Sequence, residues 1–259
     1  MNSLFIKTKG RPNEMPFLDH LEELRWRVLY IVIAIAIGAG IGFWLVMQYD
    51  VLGLLIDPIK PFLGSSKLKY LSPTDPFFVT FKLGILVGFL LASPVVIYQV
   101  WSFFAPALLP SERRVIIPAL YFGLALFAGG VAMAYTIVLP ITLQFTMGFQ
   151  TDSLEQAIVV NAYLAVVTRL LLAFGFVFEL PVVIVILSAM GLVTPEFLAS
   201  KRRHALVGIT VLSAVITPGD VITVTVMMMV PLYLLYELSI VLSRMVVRRR
   251  AAIGEPAEV

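Results

Sequence analysis

The chain has 259 residues, of which 60% are hydrophobic and only 14% charged, and its formal net charge is +3. A soluble domain carries roughly a quarter charged residues, so the composition excludes an ordinary water-soluble globule. The absence of cysteine excludes disulfides, thiol catalysis and thiolate metal sites. Because an apolar run of about 20 residues crosses a bilayer as a helix, we expect one all-α, polytopic membrane domain.

The N-terminal segment, residues 1–27, is polar and of mixed charge, and the first apolar run begins only at Val28. A cleaved signal peptide has its apolar stretch within the first ~15–30 residues, so we expect the first span to be retained. Leucines at helical spacing between Phe17 and Arg27 predict an amphipathic helix that leads into this span.

Six apolar runs predict six transmembrane helices. They are residues 28–47, 77–101, 115–139, 161–190, 205–216 and 221–243, followed by a basic tail at 244–259. Pro140 is expected to end the third helix. Residues Tyr49 to Ile56 predict a short helix on the membrane surface, and Thr194 before Pro195 predicts a helix N-cap.

The fifth run is unusually short, with 12 residues from Ala205 to Ile216. As a helix it extends about 18 Å, whereas the hydrocarbon core is roughly 30 Å thick. The pattern favours a short hairpin of the last two helices. The alternative extends the span backwards through Leu192, at the cost of placing Lys201 to Arg203 in the membrane.

The basic residues predict the orientation, because cytoplasmic loops carry an excess of lysine and arginine. One side holds only Lys60, Lys67 and Lys69. The other side holds Lys7, Lys9, Arg11, Arg25, Arg27, Arg113, Arg114, Lys201, Arg202, Arg203, Arg244 and Arg248 to Arg250. We therefore expect both termini in the cytoplasm, which agrees with six spans.

Four charged residues fall within apolar runs, where charge is costly and marks a function or a pair. Lys82 lies near the start of its span and is expected to snorkel to the interface. Arg169 has two open interpretations, snorkelling or lining a polar face. Glu237 is expected to pair with an arginine of the tail. Glu179 lies past the middle of its span, and we expect a protonated acid, a wet or partner-contacting face, or an interhelical pair.

Two acids on the predicted cytoplasmic side, Glu23 and Glu112, are candidates for holding a peptide that carries guanidinium groups. A carboxylate accepts a two-pronged hydrogen bond from arginine that lysine cannot reproduce. Spacing alone favours the intramolecular alternative, in which Glu23 pairs with Arg27 one helical turn away and Glu112 with a loop arginine.

The sequence resembles the TatC family from about Met15 to Arg244. Five stretches carry the resemblance in the family's order: His20–Arg25, Leu71–Phe78, Ser93–Leu108, Ala173–Pro181 and Thr217–Val221. Two positions depart from the family pattern. Gly219 stands where a second proline is frequent, and Val224 stands where a glutamine is frequent.

The resemblance implies a cupped, six-span protein of the bacterial inner membrane that is not an enzyme and needs no cofactor or metal. It implies binding of twin-arginine signal peptides at the cytoplasmic face and export of folded precursors by the proton-motive force. The implied partners are TatA- and TatB-type single-span subunits, membrane lipid and further copies of the chain, with no nucleic acid.

The resemblance also assigns roles to single residues. Glu23 and Glu112 match acids implicated in signal-peptide recognition, and Arg25 and Phe103 match their neighbours. Glu179 matches an intramembrane acid implicated in partner or signal contact. Pro58, Tyr135 and Asp220 match important positions at or near the outer face.

Two other functions are compatible with a polytopic chain. A proton-coupled secondary transporter of a small solute would use Glu179, but such folds often show internal repeats, and none is visible between the two halves. An intramembrane enzyme would need a catalytic pair or an HExxH motif, and the sequence contains neither.

Overall fold

A computed structural model describes residues 17–63, 67–104, 113–148, 157–217 and 222–252. These residues form helices joined by turns, with a single isolated parallel bridge between Lys69 and Val159. The α-helices are α1 (Phe17–Gln48), α2 (Val51–Ile56), α3 (Lys60–Leu63), α4 (Asp75–Phe104), α5 (Arg113–Met133), α6 (Leu139–Met147), α7 (Val160–Val177), α8 (Leu180–Ala189), α9 (Pro195–Ser200), α10 (Arg202–Ile216) and α11 (Ile222–Ala252). The prediction of an all-α fold is confirmed.

Helix α1 is continuous from the predicted amphipathic segment through the first span, and it packs along α4. Glycines allow this close approach of two backbones. A Cβ on Gly42 would meet the carbonyl oxygen of Gly84, and one on Gly88 would meet the backbone of Ala39. Small residues at a helix interface are typical of packing in lipid, where van der Waals contact replaces the hydrophobic effect.

The third long helix does not end at Pro140, so that prediction is wrong. A π-helical turn, Ala134–Val138, follows α5, and α6 begins at Leu139 with Pro140 in its first turn. Proline is tolerated there because its missing N–H has no essential partner in the first turn. The helical path therefore continues to Met147.

The fourth long helix is interrupted in its middle. Helix α7 ends at Val177, and α8 begins at Leu180 with Pro181 in its first turn. Pro181 has no N–H to donate to the carbonyl of Val177, so the regular helical hydrogen bonding cannot continue here. This interruption places Glu179 in the joint between the two helices, where the regular backbone pattern stops.

Helices α9, α10 and α11 pack together at one end of the bundle. The Thr194 hydroxyl accepts a hydrogen bond from the Phe197 N–H, which confirms the predicted N-cap. The Arg202 guanidinium donates to both carboxylate oxygens of Glu237, at 2.7 and 2.8 Å. The predicted pairing of Glu237 with a tail arginine is wrong, because α10 brings a nearer guanidinium against it.

The last two helices are not both short. Helix α10 has 15 residues, whereas α11 has 31 and continues through the basic residues at the start of the predicted tail. Arginine is a good helix former, so the helix persists beyond its apolar part.

Five helical segments of the described chain are long and apolar enough to cross a membrane. They are Leu21–Gln48, Asp75–Phe104, Pro118–Met147, Val160–Ala189 and Val224–Arg248. Helix α10, about 22 Å long by its residue count, is the remaining element of the predicted six. The count of six spans and the orientation of the termini stay predictions.

The bundle has two ends, which we name after one residue at each. The Glu23 end holds the start of α1 and the end of α4. The Pro58 end holds α2, α3 and the starts of α4 and α7.

Candidate functional site

The Glu23 site is formed by Glu23 and Arg27 of α1 with Gln99 and Phe103 of α4. Arg27 Nε and Nη2 both donate to Glu23 Oε1, at 3.0 and 2.5 Å. Arg27 Nη1 donates to Gln99 Oε1 at 3.3 Å. The pair is about 80% shielded from solvent, with 22% of the Arg27 and 20% of the Glu23 side chain exposed. The predicted intramolecular pair at Glu23 is therefore present.

The structure describes Phe103 and Arg25, but not Glu112, among the other candidate residues of this site. Phe103 lies one helical turn beyond Gln99 on α4 and packs edge-on against Phe104, with ring centroids 5.5 Å apart. Arg25 is exposed on α1. Glu112 lies outside the described residues, directly before α5 begins at Arg113. The structure thus joins Glu23 to the α4 end that bears Phe103.

The Glu179 cavity has a volume of about 320 Å³ and lies between α4, α5, α7 and α8. Its walls are apolar apart from Ser93 and Glu179. The remaining lining residues are Phe89, Val96, Ile97, Val100, Trp101, Phe104, Phe127, Phe176, Val183, Ile186 and Leu187. Both Glu179 carboxyl oxygens are buried and have no hydrogen-bond partner among the described residues. The predicted interhelical pair at Glu179 is absent from that part of the chain.

A glycine on α5 leaves space for this carboxyl group. A Cβ built on Gly123 would lie 2.8 Å from Glu179 Oε2, which is too close for an unbonded carbon. The joint between α7 and α8 aims Glu179 at this space. The carboxyl is therefore held by shape rather than by a polar partner.

The Pro58 end is closed by two tyrosine hydroxyls. Tyr135, in the π-helical turn, donates to the Leu54 carbonyl at 2.5 Å, and Tyr163 of α7 donates to the Leu55 carbonyl at 2.5 Å. Pro58 has no N–H for the carbonyl of Leu54 four residues earlier. The Tyr135 hydroxyl therefore adds a second donor where the Asp57 N–H alone would serve.

The rest of this end is polar. The Asp57 carboxylate accepts a hydrogen bond from Lys60 and raises the pKa of that exposed amine. Lys69 exchanges backbone hydrogen bonds with Ile158 and Val160, which fixes the loop against the start of α7. Asp220, the third residue assigned to this face, lies outside the described residues.

The two cations predicted inside apolar runs, Lys82 and Arg169, differ in their contacts. Lys82 Nζ donates to Asn161 Oδ1 at 3.2 Å, at the start of α7. Arg169 is exposed, with no hydrogen bond or ion pair to any described residue. No group of three acidic or histidine side chains among the described residues forms a metal site.

Sequence reasoning did not single out Gln99, Gly123 or Tyr163 as site residues. Gln99 is a polar residue near the end of an apolar run, seven positions after a buried Ala92, and that contrast is a usable signal. Gly123 and Tyr163 carry no local signal, since their roles depend on a neighbouring helix.

Comparison with known proteins decides the family. The family model for "Sec-independent protein translocase protein (TatC)" matches residues 19–231. The chain belongs to the TatC family. Members of this family are protein-translocase subunits of the twin-arginine pathway, not enzymes, so the chain is a membrane protein of protein transport.

Individual TatC proteins are similar over almost the whole chain. The TatC protein of Aquifex aeolicus is 40% identical, covering 92% of this chain and 99% of its own length. That of Escherichia coli K12 is 37% identical, covering 88% of each chain. A crystal structure described as the twin-arginine translocase receptor TatC aligns with a TM-score of 0.77 at 41% identity, covering 88% of this chain and all of that one.

One departure from the TatC pattern has a structural correlate. Val224 is 1% exposed and belongs to the hydrophobic core. A valine at this position is a packing residue and presents no polar group to another helix. Gly219 lies outside the described residues.

Proposed function

We propose that this TatC protein binds twin-arginine signal peptides of folded precursors at the Glu23 end. We also propose that this end faces the cytoplasm of a bacterium, with six spans in the inner membrane and both termini inside. Together with TatA- and TatB-type single-span subunits and further copies of the chain, it would export precursors by the proton-motive force. Glu23 and Glu112 would hold the peptide guanidinium groups, flanked by Arg25 and Phe103.

The observation that carries the proposal is the Glu23–Arg27 pair. A carboxylate that already accepts two N–H groups from one guanidinium is competent to accept another in the same geometry. Arg27 then acts as an internal occupant that a peptide arginine joins or displaces. Because the pair is shielded, each hydrogen bond to it is worth more than one on an open surface.

The test is binding of a fluorescent twin-arginine peptide to the full-length protein in nanodiscs, with a twin-lysine peptide as control. Charge-assisted hydrogen bonds contribute about 1.5–3 kcal/mol each, so Glu23→Gln with Glu112→Gln should weaken binding at least a hundredfold. Arg27→Gln should strengthen binding severalfold, since it removes the internal occupant. Equal affinity for the two peptides would refute the proposal, and unchanged affinity of the double variant would remove these two acids from it.

We further propose that Glu179 receives a polar group from a helix that enters its cavity, either of a single-span subunit or of the signal peptide. An uncompensated carboxyl in an apolar wall gains from any donor brought to it. The chain has no cysteine, so single cysteines at Val96 and Val183 can be crosslinked without background. We expect crosslinks to a cysteine-bearing single-span subunit or signal peptide at both positions, and none from Val207, an exposed residue on α10. Failure at both cavity positions would contradict the proposal.

Pro58, Tyr135 and Asp220 complete the proposal at the other face. Pro58 and Tyr135 would keep α2 in place across the outer end, through the Leu54 carbonyl that both of them affect.

A further inference from the structure

Lys82 and Arg169 lie on helices that line the Glu179 cavity, nearer to the Pro58 end than the cavity is. On α4, the lining residues Phe89, Ser93, Val96 and Val100 follow Lys82 at intervals of 7, 11, 14 and 18 residues. On α7, the lining residue Phe176 follows Arg169 by seven residues, and the joint with α8 comes directly after it. These intervals return to one face of a helix. Both cations therefore lie between the cavity and the Pro58 end, on helices that form the cavity wall.

The two cations leave a gap between them. Lys82 is held at Asn161, in the first turn of α7. Arg169 comes eight residues later, about 12 Å along the helix. Helical side chains lean toward the N-terminus of their helix, so the Arg169 guanidinium extends toward Asn161 over the small, exposed Ala162 and Ala165. An anion bound at the first turn of α7 would contact both cations, beside the Asp75 carboxylate that already lies near Lys82 and Asn161.

The depth of Arg169 in the membrane explains why it needs such an anion. The segment Val160–Ala189 has 30 residues. It is about 45 Å long and exceeds the roughly 30 Å hydrocarbon core by about 7 Å at each end. Arg169 then lies about 6 Å inside the boundary, from which a long side chain reaches the headgroup level. An exposed guanidinium that reaches the headgroup level meets lipid phosphates there, and no described residue neutralises it.

We propose that the phosphate of an anionic phospholipid binds between Lys82 and Arg169, in the leaflet at the Pro58 end. One of its acyl chains would run down to Phe89 and Phe176, at the mouth of the Glu179 cavity. Arginine and lysine are both phosphate-binding side chains. The cavity begins about 10 Å below Arg169, by the seven residues to Phe176, and a leaflet is about 15 Å deep. Because Arg169 itself lies about 6 Å inside the boundary, the cavity begins near the bilayer midplane, and only the end of an acyl chain reaches its mouth at Phe89 and Phe176.

The groove below the cations is apolar and accessible. The Phe89 and Phe176 rings lie 5.6 Å apart at a tilt, and Phe176 is 53% exposed. A carboxylate on another transmembrane helix is the competing occupant. The phospholipid is favoured because Lys82 stands near the membrane boundary, where every lipid carries its phosphate. The end of the acyl chain would thus cover the mouth of the cavity at Phe89 and Phe176, and the part beside Glu179 would be left for an entering helix.

The test is native mass spectrometry of the full-length protein in detergent, titrated with phosphatidylglycerol or phosphatidylcholine of identical acyl chains. The variants are Arg169→Leu, Arg169→Gln, Arg169→Lys and Lys82→Gln. Arg203→Leu is the matched control, since Arg203 is exposed at the opposite end of the bundle. Thermal unfolding of each variant verifies that it is folded, and the Gln variant replaces the Leu variant if the latter is not.

We expect the wild type to bind one phosphatidylglycerol about tenfold more tightly than phosphatidylcholine, as a charge-assisted contact implies. Arg169→Leu and Arg169→Gln should abolish this preference, Lys82→Gln should reduce it, and Arg169→Lys should keep part of it. Equal binding of the two lipids by the wild type would overturn the proposal. A second outcome would also overturn it. If Arg169→Leu binds phosphatidylglycerol as well as Arg203→Leu does but no longer crosslinks to a single-span subunit, Arg169 contacts a protein partner and not a lipid.

Discussion

The Glu23 site and the Glu179 cavity each place a carboxyl group away from bulk water, but they compensate it differently. Glu23 has a guanidinium from its own helix and a tie to α4 through Gln99. Glu179 has apolar walls and no hydrogen-bond partner among the described residues. The first site is balanced within the chain, and our proposal is that a peptide arginine joins or replaces the internal one. The second is left incomplete by the fold, which is the condition for recognising a group from outside.

The physical reason lies in position along the helices. Glu23 precedes the first apolar run, where a basic neighbour one turn away is cheap to keep. Glu179 sits in the joint between α7 and α8, where any permanent partner would also need to be buried in lipid. A permanent charged partner for Glu179 would therefore add a second desolvation penalty to that of the carboxyl group.

The same substitution at both acids should separate these two environments most strongly. Glu179→Lys should lower the free energy of unfolding by about 3 kcal/mol, the cost of a basic residue deep in a membrane helix. Glu23→Lys should lower it by about 1–2 kcal/mol, which is more than an exposed pair is worth (~0.2–1 kcal/mol) because this pair is largely shielded. Detergent-based unfolding titrations measure both, with Glu179→Gln as the neutral control. Similar losses at the two positions would break the comparison, because the cavity would then be as well hydrated as the surface.

The space beside Glu179 can be probed from the opposite helix. Gly123→Ala should lower the free energy of unfolding by about 1–3 kcal/mol, because the new methyl group overlaps the carboxyl group. Gly129→Ala is the matched control on the same helix, since a Cβ there meets nothing within 4 Å.

A double-mutant cycle sharpens this prediction. In a Glu179→Ala background the cost of Gly123→Ala should largely disappear, since the colliding atoms are gone. An undiminished cost would mean that Gly123 serves helix packing in general, and not the carboxyl group.

Neutral polar groups extend the comparison with a smaller effect. Tyr135→Phe removes one hydrogen bond to the Leu54 carbonyl and should cost about 1 kcal/mol in the free energy of unfolding. Tyr163→Phe should cost at least as much, because its hydroxyl bonds the Leu55 carbonyl from a ring only 4% exposed. Tyr121→Phe is the control on α5, with a side chain 70% exposed. No difference between Tyr135→Phe and Tyr121→Phe would remove the hydroxyl tie as a source of stability at the Pro58 end.

Much of the molecule was predictable because lipid imposes simple rules on sequence. The apolar runs, the helix that leads into the first span and the Thr194 cap all follow from local composition and backbone chemistry. The errors came where a distant element intervened. A π-helical turn precedes Pro140, and the third helix continues beyond this proline. Glu237 pairs with Arg202 of α10 and not with an arginine of the tail.

The sequence by itself determined that the chain is an all-helical membrane protein, and its motifs determined the TatC family. It also marked Glu23 and Glu179 as unusual, since a charged residue beside or inside an apolar run can be recognised from the sequence without a structure. Only the tertiary structure decided that Glu23 is paired with an arginine that is tied to Gln99, and that Glu179 lines an apolar cavity with its carboxyl group beside Gly123. Such contacts join residues far apart in the chain, and their energies depend on interhelical distances of a few ångströms that no local pattern encodes.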